Sequence, residues 1–302
     1  MAKNVDRAGL NSHLLRKPIQ RWAALFILPT FAAFCIGFLW PFIYGIYLSF
    51  CTFNVPKDAQ WVGLQNYIKT FKDAGFMNAF KNTTMFAVVS IILINVAAFM
   101  IAYALTQKMR GANIFRTVFF MPNLIGGVVL GYVWQMIFDA ILRHYNTYLT
   151  ANATYGFWGL VILVAWQQIG YMMIIYIAGL QAVPGDMLEA AKIDGASGWQ
   201  TLWSITIPNV MSSITICVFL TLTNSFKLFD QNMALTGGAP ELMIDGGKVK
   251  MTEMLALNIF NTYNINKNWH GVAQAKAVVF FIIVAVLALA QLNATRSKEV
   301  QQ

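Results

Sequence analysis

Six stretches of the chain carry no Asp, Glu, Lys or Arg: residues 22–50, 82–107, 117–138, 144–185, 195–226 and 277–295. Each approaches or exceeds the roughly 20 apolar residues that a helix needs to cross a bilayer. Hydrocarbon offers no hydrogen-bond partners, so a backbone at that depth must satisfy its own N–H and C=O groups, and such runs read as helices. Of the 302 residues, 58% are hydrophobic and 11% charged. A soluble domain carries about 25% charged residues, so this chain has too little polar surface to cover a globule in water. The expectation is an all-α, polytopic membrane protein with six spans, near 22–49, 80–107, 115–138, 158–181, 208–230 and 272–294.

Lysine and arginine at the span flanks set the orientation. Lys3, Arg7, Arg16, Lys17 and Arg21 precede the first span against Asp6 alone, and Lys108, Arg110 and Arg116 separate the second and third with no acid. Both termini are then cytoplasmic. The expected organisation is a basic tail (1–21), a six-span domain (22–294) and a short cytoplasmic end (295–302), with a cytoplasmic loop at 184–208 and an outer loop at 231–270. Such a protein is multi-pass in the cell membrane. Its net charge of +9 sits at membrane flanks, where it meets anionic lipid, so lipid and not nucleic acid is the expected partner for that charge. Cys35, Cys51 and Cys217 lie in or beside spans with no ligand-like spacing and read as apolar fillers, not as a metal site or disulfide framework. The first apolar run is too long for a cleaved signal segment.

The loop from Pro184 to Pro208 holds four of the 33 charged side chains between two long apolar runs, so it reads as a structured cytoplasmic segment. Asp186 with Glu189, and Ser197 with Gln200, have the spacing of capping boxes and predict two short helices. Gly195 stands where the first must end, and glycine takes the left-handed closing conformation without a Cβ clash. Met187, Ala190, Ala191 and Asp194 are expected on one face, the alanines leaving room for a partner surface.

Several polar residues lie at membrane depth. Pro29 and Pro41 are expected to kink the first span. Asn95 in the second reads first as a helix–helix hydrogen bond. Gly127 and Gly131 in the third are spaced for close packing, and Gln135 and Asp139 stand toward its outer end. The fourth holds Trp166, Gln167, Gln168 and Tyr171, a cluster that must face a helix or a wet cavity; a sugar contact and plain packing both account for it. Lys227 and Asp230 near the end of the fifth are three apart and able to neutralise each other on one helical face. The outer loop exceeds a simple connection and is expected to touch a partner. Gln274 and Lys276 stand among small residues where the last span begins.

Catalytic chemistry is missing. His13, His144 and His270 have no carboxylate or cysteine at ligand spacing, and neither a metal cluster nor a nucleophile with its base is found. Gly246-Gly247-Lys248 is followed by Val249 with Leu242 in place of the first glycine, so it is not a phosphate-cradling loop. The reading is a non-enzyme with no cofactor, whose ATP, if used, is bound by another chain. A helix pair anchored between two spans is then a lever: force on it tilts both spans and switches the side to which a cavity opens.

At these residues the chain resembles the permease subunits of binding-protein-dependent ABC importers, through Glu189, Ala190, Ala191, Gly195, Ile205 and Pro208, with Ile193, Asp194 and Ala196 also matching. It is similar to the carbohydrate-uptake branch through Tyr176 to Gln181 and Trp199-Gln200, and to the first of two permease subunits through Phe226 to Gly238. Asn82-Thr83, Arg116 to Pro122, and Gly271, Ala273 and Ala275 extend the match across most of the chain. Ala239 before Pro240, the charged segment Glu241 to Lys250, and Gln274 and Lys276 depart from the usual pattern. The resemblance implies the type I importer permease fold, a second permease subunit, two ATP-binding subunits and an extracytoplasmic solute-binding protein. Glu189, Ala190, Ala191, Asp194, Gly195, Leu202 and Trp203 would couple to the ATPases. Gln135, Trp166, Gln167, Tyr171, Asn224, Phe226 and Gln274 are candidates for the solute pathway. A sugar or oligosaccharide is the expected cargo; glycerol-phosphate-type or polyol uptake, or a secondary transporter, are the alternatives.

Overall fold

The computed structural model describes residues 25 to 296 except 26, 108, 245 and 266. The tails expected at 1–21 and beyond 296, and Lys108 among the orienting charges, lie outside the described residues. Four helices are each long and apolar enough to cross a membrane: α1 (Ile27–Ser49), α3 (Ala74–Thr106), α6 (Ala153–Gln181) and α12 (His270–Arg296), whose apolar span is Lys267–Ala294. Between α1 and α3 lie a two-residue hairpin, β1 (Cys51–Thr52) with β2 (Gln60–Trp61), and α2 (Gln65–Lys72).

The third and fifth expected spans are not continuous helices. Each is a bent pair: α4 (Ala112–Leu124) meets α5 (Gly127–Tyr145) at 99°, and α8 (Gly198–Asn209) meets α9 (Met211–Phe226) at 70°. The first break follows Pro122, where Ile125 and Gly126 turn extended; proline supplies no N–H, and the residues after it leave the helical ladder. The second follows a π-helical turn, Leu202–Thr206, just before Pro208. A similar π turn, Cys35–Leu39, precedes Pro41 in α1. Widening the turn accommodates a residue that cannot donate, so the kink expected at Pro41 takes this form.

Breaks in hydrocarbon free carbonyls, and here a side chain fills the gap. Gln167 Nε2 of α6 donates to the Ile125 carbonyl at 3.2 Å, and Gln231 Nε2 donates to Gln167 Oε1 at 2.7 Å. Gln231 belongs to α10 (Asp230–Leu235), a short helix packed on α5. Gly127 and Gly131 serve this contact: an added Cβ at Gly131 would sit 2.5 Å from that of Ala234. The close packing anticipated at these glycines is therefore with a short helix, not another span. Lys227 and Asp230 do not share a helical face, because α9 ends at Phe226 and a non-helical Phe229 intervenes.

The main core joins α3, α6 and α9 through Phe86 and Ile94, Leu160, Leu163, Met172 and Tyr176, and Cys217. Asn95 lies within it: its amide donates to Thr221 Oγ1 at 3.2 Å and its carbonyl accepts from Tyr176 OH at 2.8 Å. It ties three spans, as a helix–helix reading requires. α4 crosses α6 so closely that a Cβ on Gly170 would fall on the Phe119 carbonyl.

The segment between α9 and α12 folds as α10, a hairpin of β3 (Glu241–Ile244) with β4 (Gly247–Lys250), and α11 (Leu255–Ile265). Lys276 of α12 is 1% exposed and bonds Asp73 Oδ2 at 2.6 Å, Asn258 Oδ1 at 2.9 Å and Thr262 Oγ1 at 2.6 Å. Asp73 also caps α3 by accepting from Gly75 N at 2.9 Å. Asn258 and Asn261 in turn donate to the buried Glu253 carboxylate. Ammonium and carboxylates are thus desolvated only where each has polar partners.

Two outcomes test this packing. Gly170→Ala is expected to lower the stability of the detergent-solubilised protein by about 3 kcal/mol, since the backbone of α4 must move; an unchanged thermal transition would contradict it. Lys276→Met leaves the partly buried Asp73 carboxylate without its cation and is expected to lower stability by about 3 kcal/mol. In a cycle with Asp73→Asn the two effects should depart from additivity by at least about 1 kcal/mol.

Candidate functional site

The loop between α6 and α9 is built from local signals. Its first helix, α7 (Gly185–Ile193), closes in a Schellman motif: Ala196 N–H bonds the Ala191 carbonyl at 2.9 Å and Gly195 N–H the Lys192 carbonyl at 3.2 Å. Gly195 takes φ +76°, a conformation that a side chain resists. The second helix, α8, opens with the expected capping box: Gln200 N–H donates to Ser197 Oγ at 3.3 Å, and Ser197 N–H to Gln200 Oε1 at 2.8 Å. At the start of α7 the outcome differs. Pro184 occupies the N-cap and no side chain caps it; Asp186 lies inside the first turn, where its charge complements the helix dipole but is two residues too late to cap.

The helix is also rotated from the face expected. Ala191 is 6% exposed and turns inward, with Leu188 and Ala196 half-buried beside it. Met187, Glu189, Ala190 and Asp194 remain outside, and Gly195 and Trp203 are exposed while Leu202 is half-buried. The largest outward features are Ile193, 85% exposed, and the edge-to-face pair Trp199–Trp203, with ring centroids 5.6 Å apart. Ile193 and Trp199 were not among the candidate coupling residues; the signal was in the sequence, since three bulky apolar side chains within eleven residues of a charged loop call for a cover. Behind the loop a cavity of about 340 Å³ lies between Tyr103 of α3, Gln107 just past its end, and Leu188, Lys192 and Thr201.

The seven pathway candidates divide. Gln167 is buried, with its amide committed to Ile125 and Gln231. Trp166 is partly exposed and meets Trp134 edge to face at 5.5 Å. Gln135 is half-buried on α5, and Tyr171 packs at the edge of the main core. Asn224 Nδ2 reaches Gln168 Oε1 at 3.4 Å. Phe226 is buried in a second core cluster with Phe76 and Leu255. Gln274 lines a cavity of about 650 Å³ with Phe229, Phe260, Tyr263 and Asn264. The structure thus gathers Trp166, Gln167 and Asn224 along α6 and its neighbours, and sets Gln274 in a separate recess that Phe229 also lines. No cluster of three or more potential metal ligands occurs among the described residues.

Comparison with known proteins gives the same picture. The probable starch degradation products transport system permease protein AmyD of Thermoanaerobacterium thermosulfurigenes is 41% identical over 289 residues, covering 93% of this chain and 96% of that one. The multiple sugar-binding transport system permease protein MsmF of Streptococcus mutans is 28% identical over 297 residues, covering 95% and 99%. Among solved structures, a chain of a bacterial ABC transporter involved in the import of the acidic polysaccharide alginate superposes with a TM-score of 0.77 at 18% identity, covering 94% of this chain and 98% of that one. That likeness shows a shared fold. The sequence pattern of one family matches residues 94–297, and with these relatives it shows that the chain belongs to the binding-protein-dependent transport system inner membrane components, the permease subunits of ABC importers.

Proposed function

We propose that the protein is one half of the membrane pathway of an ATP-driven importer for neutral sugars, with starch-derived oligosaccharides such as maltotriose the first cargo to test. The observation that carries this reading is the loop from Pro184 to Pro208: rigid by its own hydrogen bonds, yet presenting Ile193, Trp199 and Trp203 uncovered. A loop closed at both ends by caps keeps its shape under load, and its bare apolar side chains are the anchors of an interface. Relatives named for starch products and multiple sugars support the choice of cargo, with the 41% identical one ahead of a glycerol-3-phosphate permease of Agrobacterium fabrum at 29%.

The partners are a second permease subunit, two ATP-binding subunits that receive the loop in a surface groove, and an extracytoplasmic solute-binding protein. ATP draws the ATPases together and moves the loop. Because α8 joins α9 through a 70° bend at Val210, and α7 follows α6 within a few residues, the displacement reaches two spans at once. Each ligand acts through its preference for one of two states. Glu189 anchors the loop by charge at the groove, Ala190 and Asp194 pack beside it, and Leu202 and Ala191 hold the loop to its own subunit. The two termini and this loop lie on the cytoplasmic side, and the hairpin Glu241 to Lys250 faces the binding protein.

Gly195→Val forces a β-branched residue into a left-handed conformation, a strain of about 1–3 kcal/mol, with no neighbour within 4 Å to clash. The variant is expected to insert and assemble while maltotriose uptake per ATP hydrolysed falls about tenfold; normal uptake would sink the lever. Ile193→Glu alters only an exposed side chain and is expected to reduce recovery of the ATPase subunits with the purified permease about tenfold. Full recovery would remove Ile193 from the interface. Uptake by the chain alone, driven by an ion gradient without ATP, would decide for a secondary transporter.

A further inference from the structure

The recess between α11 and α12 has features that neither membrane packing nor the coupling loop explains. Its volume is about 650 Å³, within the roughly 300–1,000 Å³ of small-molecule sites. Two faces of α11 are used differently. One carries Asn258 and Thr262, bound to Lys276, with Asn258 and Asn261 on Glu253, so the helix is pinned in place. The other carries Phe260 and Tyr263, 45% and 39% exposed, toward the open space. An 11-residue helix extends about 16 Å and cannot cross the hydrocarbon, so those rings are not the flank of a span.

Opposite them stands Gln274, in the apolar helix Lys267–Ala294. Among the described residues it has no hydrogen-bond partner, although it is half-buried. It also borders a second recess of about 150 Å³ with Pro41, Phe42 and Gly45, so its amide stands where the two spaces meet. An amide at the head of a membrane helix without a protein partner is held there against a solvation cost. A ligand rich in hydroxyl groups removes that cost by donating and accepting at once.

We propose that this recess is a subsite for a neutral pyranose, formed by Phe229, Phe260, Tyr263, Asn264 and Gln274. The inference rests on the importer reading and adds residues and a selectivity to it. Phe229 and Phe260 meet edge to face, with centroids 5.0 Å apart and planes at 65°, which gives the recess two walls nearly at right angles. The C–H face of a pyranose carries slight positive charge and lies against an aromatic face, while its hydroxyl rim turns to the amides. Asn264 Nδ2 is spent on the Phe260 carbonyl at 2.8 Å, so its Oδ1 is left to accept from a sugar hydroxyl. Gln274 supplies both a donor and an acceptor. None of the described residues lining the recess is charged, and Lys276 is turned to the other side of α12, toward Asp73. A phosphorylated or acidic sugar would leave its charge unpaired there, so the subsite selects uncharged sugars. Phe229, Asp230 and Gln231 are consecutive, and Gln231 bonds Gln167, which places the recess next to the amide and aromatic residues of α6.

The test uses the complete transporter in proteoliposomes, with its binding protein, second permease subunit, ATPases and maltotriose. Phe260→Cys and Tyr263→Cys are made separately in a Cys35→Ser background and alkylated with a membrane-impermeant maleimide. Saturating maltotriose is expected to slow alkylation at both positions about tenfold. Ile265→Cys, on the same helix and outside the recess, should react at an unchanged rate. Gln274→Leu should reduce ATP-driven maltotriose uptake about tenfold, with Gln274→Asn retaining most of it. Equal alkylation with and without sugar at 260 and 263, or equal slowing at 265, overturns the subsite and leaves the importer reading intact. Absence of ATP-driven maltotriose uptake by the unmodified protein overturns that reading, and the subsite with it.

Discussion

A carbonyl released inside hydrocarbon has no water to turn to, and the fold depends on how this chain answers that at its two broken spans. At the first, the Ile125 carbonyl is met by Gln167 from another helix, and Gln167 is itself held by Gln231. One amide therefore connects α4, α6 and α10. At the second break and in α1, a π turn ahead of a proline takes up the missing donor within the helix. The two breaks are braced differently: at Ile125 the carbonyl is met by a side chain from another helix, whereas at the fifth span the Ile205 carbonyl is met from the same segment, by Asn209 Nδ2 at 2.7 Å.

The opposite end of the bundle, around Lys276, is organised by charge instead. Lys276 would be costly alone at 1% exposure, and its three partners come from the cap of α3 and from α11. Removing any one leaves others desolvated and unpaired, which is why such clusters behave as units. The cluster makes the start of α3, the head of α12 and the short helix α11 one body. The recess bounded by Phe260, Tyr263 and Gln274 has firm walls for that reason.

In the loop from Pro184 to Pro208 rigidity has a different origin. The Schellman closure at Gly195 and the capping box at Ser197 satisfy the loop's backbone locally, so its shape does not require burial. That frees its apolar side chains to stay outside, where Ile193 and the Trp199–Trp203 pair await a cover. A part that is rigid without being buried can transmit force between chains.

What the sequence determined by itself were the features whose physics acts within a helix turn or along one apolar run. The six spans follow from charge-free length, because hydrocarbon leaves a chain no alternative to the helix. The Gly195 closure and the Ser197–Gln200 box follow from spacing, and the importer family from the residues around Glu189. Tertiary structure decided the rest. Asp186 looked like a cap, but the entry of the chain at Pro184 moved the helix start ahead of it. Ala191 looked outward until packing against the subunit rotated α7. Lys227 and Asp230 were neighbours only on a helix that ends at Phe226. Lys276 seemed an oddity among small residues because its ionic partner, Asp73, is 203 positions away. Pairings over such distances leave no local pattern, since they arise from which spans lie side by side, and that is settled by packing across the whole bundle.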